Sequence, residues 1–421
     1  MLAHRCTLRL EEVANEQTLL HHLRWSQSGP GYRLGVARPP SDLPAAGLLD
    51  AARGPLHPAA VQTLEAAVAA GWGDPTRLNA PGRRARALLD QAREVLATGL
   101  GVRPAELSVH QSPEAALETG LTGLRHARRR VGARVVAGAT ERSVLLLQPG
   151  AESPVPVDAR GRVDTGAYAA ALGGGDVAAA VLQTANAEVA TRQPVSVVDQ
   201  LCREHGIPLL LDATASAGRD PRAIPAGAGA VVVADAASFA GPPLGLLAVR
   251  TGTRWGLPGP RREAEQGREH AAPWVPLVLA AAEAWRQAES VADAEAREAR
   301  ELVDRVQRAA ASVRDVEVLG DPDDRLPHVV TFSVLYADGE VLLEELARRG
   351  LSVASGSACT SSALRPSHVL AAMGVLTHGN VRVTLPLAAV SPSRADDVDR
   401  LCRELPGAVA AVRRRLGTDD L

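Results

Sequence analysis

The stretch Val198-Asp-Gln-Leu-Cys-Arg-Glu204, followed by His205-Gly206 and then by Ile207-Pro-Leu-Leu-Leu-Asp212, decides the fold class. Its first part has the apolar spacing of a helix, the glycine is typical of a helix end, and the following apolar run is typical of a buried strand. A helix that leads through a short turn into such a strand indicates an α/β unit with a parallel sheet. Because ligands of these sheets bind at the carboxyl ends of the strands, Asp212 is a candidate site residue.

The same alternation of helices and strands extends in both directions along the chain. Helices are predicted at residues 58–70, 84–99, 113–130, 198–204 and 276–311, and buried strands at 134–137, 178–183, 207–211, 230–234 and 246–250. A later region combines strands at 329–334, 351–354 and 381–385 with helices at 339–349, 368–373 and 393–416. We therefore predict a large α/β domain with a mostly parallel sheet, followed by a smaller α+β domain.

The composition excludes several classes of partner. The net charge of −2 favours neither nucleic acid nor an anionic membrane as partner. No apolar run reaches the ~18 residues of a membrane span, and the first 20 residues lack the apolar core of a signal peptide. The four cysteines have neither metal-ligand spacing nor the density of a disulfide framework. We therefore expect a cytoplasmic protein with reduced thiols and no metal site.

Lysine is absent from the sequence, so all 46 basic residues are arginine. Together with the abundant alanine and glycine, this absence fits a G+C-rich coding bias. It also has a chemical consequence, because a guanidinium group stays protonated and is not a usable amine nucleophile.

A cysteine lies in the segment Ala354-Ser-Gly-Ser-Ala-Cys-Thr-Ser-Ser362, just before Pro366-Ser-His368. The segment is too rich in glycine, serine and threonine to pack a core, so it is predicted to be a loop that displays the thiol of Cys359. This setting indicates sulfur chemistry. An inert cysteine that the loop merely tolerates is the alternative.

The C-terminal quarter resembles the cysteine desulfurases of the class V aminotransferase group, which are pyridoxal-phosphate enzymes. The likeness is carried by the cysteine loop and by the positions that follow it: Pro366-Ser-His-Val-Leu370, Met373-Gly374, His378 and Arg382. Upstream, weaker matches include Leu49-Asp50, Gly73-Asp-Pro75, Asn186-Ala-Glu188 and Leu211-Asp-Ala-Thr214. The resemblance implies the type I pyridoxal-phosphate transferase fold and a homodimer.

The resemblance also implies a role for several residues. In the family, a cysteine substrate forms a Schiff base with the cofactor in place of a lysine, and the loop cysteine then accepts the substrate's sulfur as a persulfide. Carried over, Cys359 is the sulfur acceptor, Arg382 clamps the substrate carboxylate, and Asp212 and Asn186 contact the cofactor. Arg382 in a structural ion pair is the alternative. His378 is either a weak candidate for thiol activation or an ordinary surface histidine.

The departures from the family pattern fall on the cofactor site. The His-Lys pair that should precede Gly-Pro is Ala237-Ser238, and neither residue can form an imine. Pro113 stands in the phosphate-binding turn, where it removes a hydroxyl and an N–H donor. Three further contact positions are changed: Arg142 replaces the histidine that stacks on the ring, Ala187 an asparagine and Ala215 a glutamine. The pattern predicts that covalent pyridoxal-phosphate catalysis is lost and that the protein has no cofactor.

Three functions follow from these observations. The first is a pseudoenzyme that carries or routes persulfide sulfur on Cys359, or that partners an active desulfurase or a sulfur-acceptor protein. The second is a working desulfurase or lyase whose cofactor is held noncovalently or whose site is completed by another chain. The third is a non-catalytic ligand-binding or scaffold protein. The predicted domains are an N-terminal arm over 1–57, partly joining the small domain, a large domain over 58–288 and a small domain over 289–421.

Overall fold

The computed structural model describes residues 23–27, 32–36, 47–355 and 366–418. Cys359 and its neighbours from Gly356 to Arg365 lie outside the described residues, so the predicted thiol loop is described only at its two ends. No helix within the described ranges is both long and apolar enough to cross a membrane. Nor do those ranges contain a group of three or more histidine, cysteine or acidic side chains suited to a metal ion.

Thirteen strands and ten helices are described, along with shorter 3-10 turns. The strands are β1 Leu23–Gln27, β2 Tyr32–Val36, β3 Gly47–Leu48, β4 Leu107–His110, β5 Arg134–Ala137, β6 Val177–Gln183, β7 Leu209–Asp212, β8 Val231–Asp235, β9 Gly245–Val249, β10 Val316–Leu319, β11 Val329–Val334, β12 Leu351–Ser352 and β13 Asn380–Thr384. The helices are α1 Pro58–Ala69, α2 Ala80–Gly99, α3 Pro113–Arg128, α4 Ser143–Leu146, α5 Thr165–Leu172, α6 Val195–Glu204, α7 Val275–Ala311, α8 Gly339–Arg348, α9 His368–Met373 and α10 Arg394–Leu416.

A six-stranded sheet in the order β4-β9-β8-β7-β6-β5 forms the centre of the large α/β region. Strands β5 to β8 pair in parallel, and β9 runs antiparallel to both of its neighbours. Five of the six strands therefore share one direction, which confirms the predicted mostly parallel sheet. Their carboxyl ends meet at one edge, as the sequence pattern requires of a ligand site.

Both faces of this sheet are buried, which explains its nearly continuous apolar strands. Val136, Leu182 and Leu211 face a core shared with α1, α2 and the first half of α7. Their neighbours Val135, Val181 and Leu210 face the opposite core, under α3. Because side chains of a strand alternate between faces, the sheet becomes the middle layer of an α/β/α sandwich.

The 37-residue helix α7 connects two cores. Its first part, from Val275 to Ala288, packs in the core of the large sheet, and Leu302, Val303 and Val306 pack in a second core. This second core also contains residues of the antiparallel sheet β10-β11-β13 and of α8 and α10. The smaller α+β region is thus built as predicted, while the predicted domain boundaries stay predictions.

The strand pair β1-β2 is antiparallel, with Leu23 opposite Val36 and Gln27 opposite Tyr32. It belongs to a compact unit of its own, Met1–Ala46, and the rest of the chain forms the other unit. From the sequence we predict only an N-terminal arm here. The alternation Leu-Arg-Trp-Ser-Gln is a period-2 pattern that indicates a strand, and it was missed among the surrounding glycines and prolines.

Candidate functional site

A cavity of about 470 Å³ opens where the carboxyl ends of the parallel strands meet the small sheet. Several positions singled out from the sequence line it, namely Arg142, Ala187, Ala215, Ser238 and Arg382. The structure therefore brings together residues that are far apart in sequence. Further lining residues were not predicted: Asp50, Arg53, Glu114, Arg219, Asp235 and His328.

Asp212 is held at the end of β7 by its own turn. Its Oδ1 accepts hydrogen bonds from the backbone N–H of Thr214, at 2.9 Å, and from the Thr214 hydroxyl, at 2.6 Å. The carboxyl group is buried and follows a strand in which every residue is buried. The strand pattern thus places this carboxylate at the sheet edge, and Thr214 fixes its orientation.

Arg142 bridges two parts of the cavity. Its Nη1 donates to the Thr214 hydroxyl at 3.0 Å, and its Nη2 donates to Glu114 Oε1 at 3.1 Å. The same Glu114 oxygen accepts from Arg53 Nη2 at 2.6 Å. A continuous series of hydrogen bonds therefore runs from the cavity to Asp212 through Arg53, Glu114, Arg142 and Thr214.

Ser238 occupies a 3-10 turn, Ala236–Phe239, that directly follows β8. Its hydroxyl lies 2.7 Å from the carbonyl oxygens of Ala217 and Asp235, so it donates to the backbone. The Ser238 side chain is short, its hydroxyl is hydrogen-bonded to the backbone, and it has no amine.

Asp235 is the last residue of β8 and caps the turn that contains Ser238, accepting from the backbone N–H of Ala237. Burial raises the pKa of this carboxyl group to about 6, although the Ala237 hydrogen bond and the charges of Arg142 and Arg53 act in the opposite direction. The sequence signal was available, because the predicted strand 230–234 ends directly before Asp235, but Asp235 itself was not singled out.

A buried hydrogen-bond network lies beside this cavity. Glu141 Oε1 accepts from the backbone N–H of Gln183, and Asn186 donates through its amide to Thr140 O. Asn186 Oδ1 accepts from the N–H groups of Glu188 and Val189. The side-chain oxygen of this predicted cofactor contact is therefore hydrogen-bonded within the turn after β6. The network forms one wall of a smaller cavity of about 170 Å³ that adjoins the first at Arg142.

Burial raises the pKa of Glu141 from 4.5 to about 8, and the nearby Asp212 adds to this effect. Its Oε2 is buried and has no hydrogen-bond partner among the described residues. The folded protein therefore holds a proton that the unfolded chain loses above its ordinary pKa. This contribution to stability is complete below about pH 4.5 and is lost as the pH rises to about 8.

We expect Glu141→Gln to flatten this pH dependence, because the amide cannot ionise. Between about pH 5.5 and about pH 7.5, the free energy of unfolding of the variant should fall by about 2 kcal/mol less than that of the wild type. Urea unfolding at the two pH values measures the difference. Glu118→Gln, on an exposed position of α3, is the control, and an equal slope in wild type and Glu141→Gln would refute the assignment.

The segment after the cysteine loop is attached to the same network. Ser367 donates its hydroxyl to Glu188 Oε2 at 2.8 Å, and His368 Nε2 lies 2.9 Å from Glu141 O. Burial raises the pKa of Glu188, while Ser367, Arg382 and His368 lower it. Ser367 and His368 thus position the far end of the loop against the strand-end residues.

Arg382 positions the near end of the loop. It lies in β13, and its backbone exchanges two hydrogen bonds with Ala354, at 2.7 and 3.0 Å. Its side chain is buried, with Nη2 3.8 Å from Asp50 Oδ1. The loop therefore starts beside the cavity, whereas its role as a carboxylate clamp stays a prediction.

The remaining predicted positions have different surroundings. Pro113 begins α3 and is buried, and Ala237 is buried in the turn beside Ser238. His378 is exposed in the turn before β13 and is not among the residues that line either cavity. The proposed activation of the Cys359 thiol by His378 therefore stays a prediction.

Comparison with known proteins places this geometry in a family. Residues 224–401 match the family described as "Aminotransferase class-V". An "IscS-like cysteine desulfurase" of Mycobacterium tuberculosis is 33% identical over 384 residues, which cover 86% of this chain and 96% of the relative. The chain belongs to the cysteine desulfurase family. A "Cysteine desulfurase IscS" of Dictyoglomus turgidum is 27% identical over 350 residues, covering 80% of this chain and 88% of that protein.

Solved structures agree with the cysteine desulfurase fold. A "NIFS-LIKE PROTEIN" superposes with a TM-score of 0.76 at 19% identity, covering 87% of this chain and 100% of that chain. The predicted fold class, a type I pyridoxal-phosphate transferase architecture, is thereby confirmed. The predicted family resemblance is confirmed as well.

One prediction is wrong. The sequence predicts no cofactor, but the relatives and structural neighbours belong to a pyridoxal-phosphate-dependent family, which supports binding of this cofactor. The described donor set fits that correction in part. Asp212 does not line the cavity itself, but it is an oriented carboxylate joined to the cavity through Thr214, and Arg53 and Arg142 are cationic groups at the cavity. Ser238 supplies no amine, so the residues present fit a cofactor held without a covalent bond.

Proposed function

We propose that this cysteine desulfurase homologue holds pyridoxal phosphate noncovalently, does not extract sulfur from free cysteine, and accepts persulfide sulfur on Cys359 from an active desulfurase. The observation that carries the proposal is Ser238. It lines the cavity at the family's lysine position, in a chain without lysine, and its hydroxyl is bonded to backbone carbonyls.

The loss of the amine has two consequences. An amine at this position provides the covalent link to the cofactor, and it also provides a base that can move a proton beside it. A serine hydroxyl has too high a pKa for either task, and the guanidinium groups of Arg53 and Arg142 stay protonated. When bound, pyridoxal phosphate supplies an electron sink. Asp212 would orient the ring nitrogen. Asp235, whose pKa is raised to about 6, is a titratable group at the same cavity, but no described side chain there supplies an amine for the covalent link.

The sulfur step that we propose needs no such amine. The thiolate of Cys359 attacks the outer sulfur of a donor's persulfide, the donor's S–S bond breaks, and the donor leaves as a thiolate. The proton lost by Cys359 is matched by the one that the donor thiolate regains, so no oxidant or reductant is required. Support comes from the unbroken family motif around Cys359 and from the two loop ends, which Arg382, Ser367 and His368 hold beside the cavity.

Mass spectrometry of the Cys359 peptide tests this function. We expect a persulfide there after incubation with an active desulfurase and cysteine, and none after incubation with pyridoxal phosphate and cysteine alone. Cys359→Ser is the control for other thiols. Cys202 is a suitable internal reference, because it is buried and its pKa is raised to about 12 by burial. Persulfide formation with cofactor and cysteine alone would instead favour a working desulfurase.

The proposal includes a homodimer in the cytoplasm. The homodimer follows from the family resemblance, and the cytoplasm from the absence of a disulfide pattern among the four cysteines. Of the described cysteines, Cys202 and Cys402 are both free.

A further inference from the structure

One carboxylate oxygen at the cavity pairs with two guanidinium groups. Glu114 Oε1 lies 2.6 Å from Arg53 Nη2 and 3.1 Å from Arg142 Nη2. Arg142 is also tied to Thr214, whose hydroxyl donates to Asp212. All three charged groups line the same cavity as Ser238. The arrangement is therefore an anion-binding pair of arginines that is already occupied by a side chain of the protein.

The turn that binds phosphate in the family has lost a backbone donor in this chain. Pro113 has no backbone N–H, and the hydroxyl of Ser112 accepts from the N–H of Ala115 as the helix cap. A phosphate at this end of the cavity therefore needs other donors. Guanidinium groups are suited to the task, because their fork of N–H groups matches the oxygens of a phosphate.

We propose that Arg53 and Arg142 are the phosphate-binding residues of this chain, and that Glu114 is an internal anion that the phosphate must displace from them. The inference rests on the proposed noncovalent binding of pyridoxal phosphate and names the residues that select for its phosphate group. Where the family pattern has a ring-stacking histidine, this chain has Arg142, so the ion pair with Glu114 depends on a residue that departs from the pattern.

The electrostatics of the three side chains support the competition. Burial would raise the pKa of Glu114, but the hydrogen bond from its own backbone N–H and the charges of Arg142 and Arg53 lower it overall. Glu114 is therefore a full anion at neutral pH. Since Arg53 is 61% exposed and Glu114 37%, solvent weakens their pair, and a phosphate that carries more charge can displace the carboxylate.

The test compares binding of pyridoxal phosphate with binding of pyridoxal, which lacks the phosphate, by fluorescence titration. We expect Glu114→Gln to tighten pyridoxal phosphate binding about tenfold and Arg53→Gln to weaken it by about the same factor. Pyridoxal affinity should change less than about twofold in both variants, because the ring contacts are intact. Glu118→Gln, an exposed glutamate one turn further along α3, should leave both affinities unchanged.

Three results would overturn the inference. Pyridoxal phosphate binding to Glu114→Gln could be unchanged or weaker than in the wild type, both ligands could shift together, or neither the wild type nor Glu114→Gln could bind pyridoxal phosphate. The affinity ratio does not depend on sulfur transfer. A failure of Cys359 to accept sulfur would therefore contradict the proposed function while leaving the arginine assignment intact.

Discussion

Ser238→Lys is expected to convert a reversible pyridoxal phosphate complex into a covalent one. The side chain at position 238 lines the cavity in the turn after β8, three residues after Asp235. A lysine there would present the chain's first side-chain amine to a bound aldehyde. After borohydride reduction and denaturation, the variant should retain stoichiometric cofactor by mass spectrometry, and the wild type should retain none on its side chains.

Because the chain contains no other lysine, the introduced residue supplies its only side-chain amine. Ser290→Lys, on the exposed face of α7, is the matched control, because it adds one amine outside the cavity. It should retain far less cofactor than Ser238→Lys at the same ligand concentration. A folded Ser238→Lys variant with no reducible adduct would show that the cavity does not hold the cofactor near position 238.

Arg394→Met is expected to cause the largest loss of stability. Arg394 is 1% exposed, and its Nη1 contacts Glu295 Oε1 and donates to Pro386 O at 2.7 Å. Its removal leaves Glu295 buried, with Arg219 the nearest cation at 4.0 Å. We expect the free energy of unfolding to fall by about 3–5 kcal/mol, because an unpaired buried charge is costly.

Urea unfolding of the double variant separates charge from packing. If the loss comes from the unpaired carboxylate, Glu295→Met combined with Arg394→Met should recover about half of it or more. A single variant within about 1 kcal/mol of the wild type would contradict this account. The ion pairs of Glu295 with Arg394 and Arg219 matter for the site, because Arg219 also lines the cavity that contains Ser238. Arg219 donates to Leu385 O, just after β13.

The sheet edge was predictable because its signals are local. The apolar run before Asp212 predicts a strand with a carboxylate at its end, and the predicted strand 230–234 should end at the same edge because parallel strands share one direction. Strand β4 was missed for a physical reason. Its Ser108 and His110 are buried polar residues that interrupt the apolar pattern, and they satisfy one another at 3.1 Å, with Glu269 beside the imidazole. Glu269 is 159 residues from His110 in the sequence, so no local pattern predicts this contact.

The error about the cofactor has a related origin. The sequence shows which family contacts are replaced. It does not show which side chains from distant parts of the chain the fold brings to the cavity. Arg53 is 61 residues from Glu114, and only the fold brings them to 2.6 Å. Arg53 and Arg142 bring positive charge to Glu114, the residue after Pro113, which has no N–H. The five altered positions therefore do not show that the site lacks groups able to bind the cofactor. Position 238 is different, since no neighbouring side chain in the described cavity supplies an amine.

We propose that sulfur reaches Cys359 from another protein and is not extracted by this chain. The most direct measurement follows alanine release and the mass of the Cys359 peptide in the same reaction, with saturating pyridoxal phosphate and cysteine, before and after a catalytic amount of an active desulfurase is added. We expect neither alanine nor persulfide before the addition, and a persulfide on Cys359 afterwards. Alanine and persulfide in the first arm, formed over repeated turnovers, would contradict it.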